Sequence, residues 1–195
     1  DSNNRLTAET KVDGNITDIT RYGYDNNGNQ IYKGLETLRP IASEEEEEFT
    51  AVIAGEDAES ADITLSQYDG FNQLKKVITG NITAGYAYNP DGLRIAKTVN
   101  GVITKHIWDG AQIALEVDNA GLVMAKYIRG INLIAAEDGV GVRKYYLYNS
   151  HGDVTQLTDT SGNVIKNYDY DAFGNEKNPD PNDTNVFRYC GEYFD

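Results

Sequence analysis

Tyr146-Leu147-Tyr148-Asn149-Ser150-His151-Gly152 and Tyr168-Asp169-Tyr170-Asp171-Ala172-Phe173-Gly174-Asn175 share one form: two aromatics a residue apart, then Asp or Asn, then Gly. Working outward, the form recurs as His106-Ile107-Trp108-Asp109-Gly110, Tyr86-Ala87-Tyr88-Asn89-Pro90-Asp91-Gly92 and Tyr22-Gly23-Tyr24-Asp25-Asn26-Asn27-Gly28-Asn29. A weaker copy, Tyr68-Asp69-Gly70-Phe71-Asn72, sits one period before Tyr88, and the period is about twenty residues. Self-similarity at a fixed period means that each unit buries its face against its neighbours, which marks a repeat array. Such an array points to a built surface or container before it points to an enzyme with one dedicated site.

A second set of turns lies roughly midway between these: Asp13-Gly14, Gly80-Asn81, Asn100-Gly101, Asn119-Ala120-Gly121, Asp138-Gly139 and Ser161-Gly162-Asn163. Asn-Gly and Asp-Gly supply the positive φ angles that tight hairpin turns demand. The segments left between turns are about six to eight residues, an ordinary strand length. The pattern therefore predicts a mostly β protein, an antiparallel meander of repeated hairpins. Residues i and i+2 share a strand face, so Tyr86 pairs in direction with Tyr88, Tyr146 with Tyr148 and Tyr168 with Tyr170. Tyr68, Tyr88, Trp108, Tyr148 and Tyr170 are expected at equivalent strand ends, each leading into a turn begun by Asp69, Asn89, Asp109, Asn149 or Asp171.

The pattern is interrupted over 35–62. Ser43 with Glu46 forms a capping box, Glu44 to Glu48 suit the positive end of a helix dipole, and Phe49, Val52 and Ile53 share a helical face that Gly55 would end. One short inserted helix is predicted over 44–54. The organisation expected is N-terminal repeat strands over 1–34, the acidic insertion over 35–62, repeat hairpins over 63–144 and a distinct C-terminal segment over 145–195.

A chain of 195 residues can bury a sizeable core or form one continuous array. Its formal charge of −14 argues against nucleic-acid or anionic-membrane binding, which need clustered Lys and Arg. Cys190 is the single cysteine, so an intrachain disulfide and a multi-cysteine metal cluster are both ruled out. No stretch is apolar enough for a membrane-spanning helix, and no signal peptide opens the chain. Asp1 and Asp195 fall within repeat units, which suggests a piece of a longer protein.

The repeats resemble YD repeats, also called RHS repeats. Tyr146 to Asp159 with Gly162-Asn163-Val164, Tyr168 to Asn175, and the ending Arg188-Tyr189-Cys190-Gly191-Glu192-Tyr193-Phe194-Asp195 resemble the start of the RHS-associated core. The wording is most similar to the wall-associated RHS proteins of Gram-positive bacteria. The resemblance implies a secreted or cell-wall protein of the polymorphic-toxin type, whose repeats wind into a hollow shell around a C-terminal effector domain. In that family some members cut the effector free at an Asp-containing motif of the core, and the part of the core that carries it lies beyond Asp195.

Candidate chemistry is sparse. Asp25 to Asn29 departs from a calcium loop because Gly28 falls at the fourth position instead of the sixth, and Asn178 to Asp183 places Asp183 where the glycine belongs. Both segments read more simply as Asx-rich turns. His106 beside Trp108 reads as packing, and His151 has no motif context. Asp169 and Asp171 would share a strand face as a carboxylate pair, but turn initiation explains them better. No catalytic residue, metal ligand or cofactor site is assigned. The remaining candidates are aromatics that could stack on sugar rings, Tyr86, Tyr88, Trp108, Tyr146, Tyr148, Tyr168 and Tyr170. They support an alternative reading as a cell-wall carbohydrate-binding module, against structural cross-strand stacking.

Overall fold

The computed structural model describes residues 1–14, 16–38 and 63–194. The described chain is β-structure: a fourteen-stranded sheet in which strand order follows chain order from first to last. The chain divides into two compact units, Asp1–Ile103 and Thr104–Asp195. The first holds β1 (Ala8–Asp13), β2 (Ile16–Tyr24), β3 (Gln30–Leu38), β4 (Ile63–Tyr68), β5 (Leu74–Thr79), β6 (Ile82–Tyr88), β7 (Arg94–Val99) and the start of β8 (Val102–Asp109). The second holds the rest of β8, β9 (Gln112–Val117), β10 (Val123–Arg129), β11 (Leu133–Asp138), β12 (Arg143–Tyr148), β13 (Val154–Thr158) and β14 (Val164–Asn167). It ends in a single 3-10 turn, Tyr189–Gly191. The helix expected over 44–54 lies outside the described residues, and β3 runs on to Leu38.

Two turn designs build the meander. In the short one, two residues separate a paired couple, as at Asp13↔Ile16, Thr79↔Ile82 and Asp109↔Gln112. Asn100 and Gly101 both take positive φ, 47° and 87°, the type I′ geometry whose twist matches that of the strands it joins. In the longer design an Asp or Asn closes a five-residue loop upon itself. Its N–H donates to the carbonyl four residues on, and its own carbonyl accepts from the N–H three residues on. Its Oδ1 accepts backbone N–H groups two and four residues on, as Asp159 does from Ser161 and Asn163. The fourth residue sits at positive φ: Gly28, Asn72, Gly92, Gly121, Gly141, Gly152, Gly162 and Gly174. The loops start at Asp25, Asp69, Asn89, Asp118, Asp138, Asn149, Asp159 and Asp171.

This corrects two expectations. Trp108 is not equivalent to Tyr68, Tyr88 and Tyr148. Those tyrosines precede the longer loop and pair six residues on, with Leu74, Arg94 and Val154. Tyr170 does the same with Glu176. Trp108 pairs with Ile113 across a two-residue turn, because the fourth residue counted from Asp109 is Gln112, which lacks the tolerance of Gly or Asn for positive φ. Conversely, the turns read around Asn119, Asp138 and Ser161 belong to the longer design, with no aromatic before them.

The core lies in the second unit. Ile113, Tyr127, Leu133, Ala136, Tyr146, Val154, Leu157, Tyr168 and Phe187 form one buried cluster, with Trp108, Tyr148, Tyr170 and Tyr193 packed against it. After β14, Tyr168 still donates its N–H to the Thr155 carbonyl and the Asp171 loop makes one more hairpin, with Tyr170 paired to Glu176; the residues beyond it pack back against the sheet. Val154 donates its N–H to the Arg188 carbonyl at 3.0 Å, and Tyr193 Oη donates to Glu116 Oε1 at 2.6 Å. Phe187 meets Tyr127 and Tyr193 edge-on at centroid distances of 4.9 and 5.5 Å, a favoured aromatic geometry.

Candidate functional site

The aromatics singled out in the sequence are drawn into two arrangements. Tyr146 stacks with Tyr148 at 6.4 Å, and Tyr168 with Tyr170 at 6.2 Å with planes 8° apart, as expected of i and i+2 neighbours on one strand face. Tyr146 and Tyr168 are each 6% exposed, and their hydroxyls donate to Asn185 Oδ1 and Asp183 Oδ2, both at 2.6 Å. Burial, then the Asp183 contact, pushes the Tyr168 hydroxyl well above the ordinary tyrosine range. Tyr148 is half-buried and donates to the Leu133 carbonyl at 2.7 Å, and burial raises its pKa to about 12. Trp108 packs against the same core. In the first unit, Tyr88 donates to the Leu74 carbonyl and Tyr86 lies under the Arg94 guanidinium at 5.3 Å; both rings are partly exposed.

The residues that clamp the returning segment were not legible in the sequence. Arg188, 7% exposed, donates to Glu176 Oε2 at 2.8 Å and to the Asn185 and Asp183 carbonyls at 2.9 and 3.2 Å. It also approaches Asp183 Oδ2 at 3.4 Å and lies over the Phe194 ring at 4.3 Å. A buried guanidinium needs this degree of pairing, since an unpaired buried charge costs several kcal/mol, about 3–5 when one partner is removed. Asn185 completes the clamp by donating to the Phe187 carbonyl at 2.6 Å.

A second constellation forms where the Asn149 loop meets the 3-10 turn. The His151 and Asp153 N–H groups both donate to Asn149 Oδ1, at 2.9 and 3.0 Å. His151 Nδ1 lies 2.9 Å from Asp153 Oδ1, which also accepts the Cys190 N–H at 3.0 Å. Cys190 Sγ lies 3.8 Å from His151 Nδ1. Burial pushes the Asp153 carboxyl up, but the hydrogen bonds from Asn149, His151 and Cys190 outweigh it and hold the pKa at about 2. Desolvation of the thiol by its neighbours, then the nearby Asp153 charge, raises Cys190. Spacing gave no warning of this cluster, because Cys190 stands 39 residues from His151.

Comparison with known proteins places these features in a family. Residues 148–177, which carry the Asn149, Asp159 and Asp171 loops, match the RHS Repeat family model. Over those residues the chain carries an RHS repeat. It is 27% identical over 98% of its length to the tRNA3(Ser)-specific nuclease WapA of Bacillus spizizenii, and 26% identical over 98% to the tRNA nuclease WapA of Bacillus subtilis strain 168. It is also 36% identical over 57% of its length to the tRNA(Glu)-specific nuclease WapA of Bacillus subtilis subsp. natto. The chain spans 9% of each of the first two relatives and 5% of the third. Among solved structures, TcdB2-TccC3-TEV matches 92% of this chain with a TM-score of 0.54 at 15% identity, covering 11% of that chain. TcdB2-TccC3-Cdc42 matches the same share with a TM-score of 0.53 at 14% identity. These structures share the fold of this chain.

Proposed function

We propose that this chain is a non-enzymatic stretch of the encapsulating shell of an RHS toxin-type protein, secreted or held at the cell wall. In this reading the repeat strands form wall, residues 145–195 begin the RHS-associated core, and the partner is a C-terminal effector domain of the same polypeptide. The observation that carries the reading is the continuous meander of self-closing Asx loops, with the 178–194 segment clamped against the sheet by Arg188, Asn185 and Tyr193. A scaffold is served by that geometry, in which each Asx loop pairs backbone groups of its own turn. The relatives named as tRNA nucleases are more than ten times longer than the stretch they share with this chain, so nuclease chemistry is assigned here to other parts of such proteins.

Limited proteolysis of the full-length protein tests the proposal. The domain downstream of the core should resist protease while the shell is intact and be digested when it is expressed alone. Equal digestion rates in the two contexts would overturn the encapsulation reading. The chain alone should leave tRNA uncut.

A further inference from the structure

We propose that His151, Asp153 and Cys190 form a binding site for one borderline divalent transition-metal ion of the Zn²⁺ class. One imidazole nitrogen, one carboxylate oxygen and one thiol sulfur lie within 4.8 Å of one another. Tetrahedral coordination at Zn–N and Zn–S bond lengths of about 2.0–2.3 Å sets donor-to-donor edges of about 3.3–3.8 Å. The observed Nδ1···Oδ1 and Sγ···Nδ1 separations, 2.9 and 3.8 Å, bracket that range. Small side-chain rotations are then enough to admit the ion, with no change of backbone.

The backbone under the donors is already fixed. Asn149 Oδ1 holds both His151 and Asp153, and the Val154 to Arg188 bond ties the strand that follows to the segment carrying Cys190. His151 and Cys190 are exposed while Asp153 is buried, so an ion has a path in and a fourth position open to water. A mixed N, O and S set selects Zn²⁺ or Co²⁺ over Ca²⁺ and Mg²⁺, which prefer all-oxygen ligands. Binding displaces the thiol proton, and any proton on Nδ1, into solvent. It leaves the Cys190 N–H on the carboxylate, whose remaining lone pairs serve the ion. Occupied, the site would cross-link the β12–β13 loop to the returning segment, adding a metal clamp to the Arg188 clamp.

The test is titration of the reduced, metal-free chain with Co²⁺, followed by Zn²⁺ displacement. The expected result is one Co²⁺ per chain, a thiolate-to-cobalt charge-transfer band in the near ultraviolet and four-coordinate visible bands, all lost on adding Zn²⁺. Cys190→Ser should abolish the charge-transfer band, and His151→Ala should weaken binding by more than about tenfold. Both side chains are exposed, and circular-dichroism melts without metal should show that both variants fold as the parent does. Zn²⁺ should raise the melting temperature of the parent and of neither variant. Absence of the charge-transfer band, parental affinity in His151→Ala, or equal Zn²⁺ stabilisation of Cys190→Ser would each overturn the proposal.

Discussion

Replacing Arg188 by Met removes the charge that clamps the returning segment while keeping an unbranched apolar stem for the Phe194 and Tyr168 rings. Two carboxylates then lose their cation: Glu176, at 9% side-chain exposure, and Asp183, at 8%. Removing one member of a buried ion pair costs about 3–5 kcal/mol, chiefly because the remaining charge stays desolvated. Asp183 keeps the Tyr168 hydroxyl at 2.6 Å and Lys166 Nζ at 3.8 Å, so the loss should fall near the lower end, about 3 kcal/mol. That is a large share of the roughly 5–15 kcal/mol that holds a domain folded. Urea unfolding followed by the single tryptophan, Trp108, which packs on this core, reads the change. The diagnostic comparison is the triple variant Arg188→Met, Glu176→Gln, Asp183→Asn, which removes the stranded charges and should recover most of the loss. A loss below about 1 kcal/mol in the single variant, a size typical of exposed ion pairs, would refute the clamp. So would a triple variant no more stable than the single one.

Other expectations follow from the loops. At Gly162 (φ 83°) an added Cβ meets nothing within 4 Å, so Gly162→Ala should cost only the left-handed backbone penalty, about 1–2 kcal/mol. Gly162→Asn should cost less, since Asn72 holds the equivalent position at φ 67°; thermal melts of the two variants give the comparison. Gly174→Ala should be worse than Gly162→Ala, because its Cβ would lie 2.6 Å from the Tyr189 ring. Asp159→Ala should lower the melting temperature more than Asp159→Asn, which keeps the Oδ1 acceptor just as the Asn89 and Asn149 loops do. Acid should loosen the fold: hydrogen bonds, from the Asn29, Asn163 and Asn175 side chains first, hold Asp25, Asp159 and Asp171 below the ordinary carboxylate range, and Asp153 lies at about 2. The unfolded chain then binds more protons than the folded one as pH drops below about 4, so this stability is complete above that pH and is lost as pH falls towards 2. A melting temperature unchanged between pH 5 and pH 2.5 would contradict it.

The meander was legible because its turns are written in residues with few alternatives: an Asx to accept backbone N–H groups and a Gly or Asn to take positive φ. Reading the aromatic as part of the turn misled. Asp118, Asp138 and Asp159 start the same loop after Val117, Glu137 and Thr158, whereas Trp108-Asp109 without a fourth-position Gly makes a different turn. The informative motif is Asp or Asn, two residues, then Gly or Asn; the aromatics report packing. Residues 178–194 were opaque for a physical reason. Their clamp joins Tyr193 to Glu116 across 77 positions and Asn185 to Tyr146 across 39, with no periodicity to reveal the pairing. The His151, Asp153 and Cys190 cluster was hidden in the same way, and the sequence reading assigned no metal there.

The central claim concerns what the repeat sheet is for, and cryo-electron microscopy of the full-length protein addresses it most directly. The account predicts that β1 to β14 appear as consecutive wall strands running into the core, with density for the C-terminal domain enclosed on the inner side. A C-terminal domain resolved outside, or tethered free in solvent beside an open sheet, would contradict it.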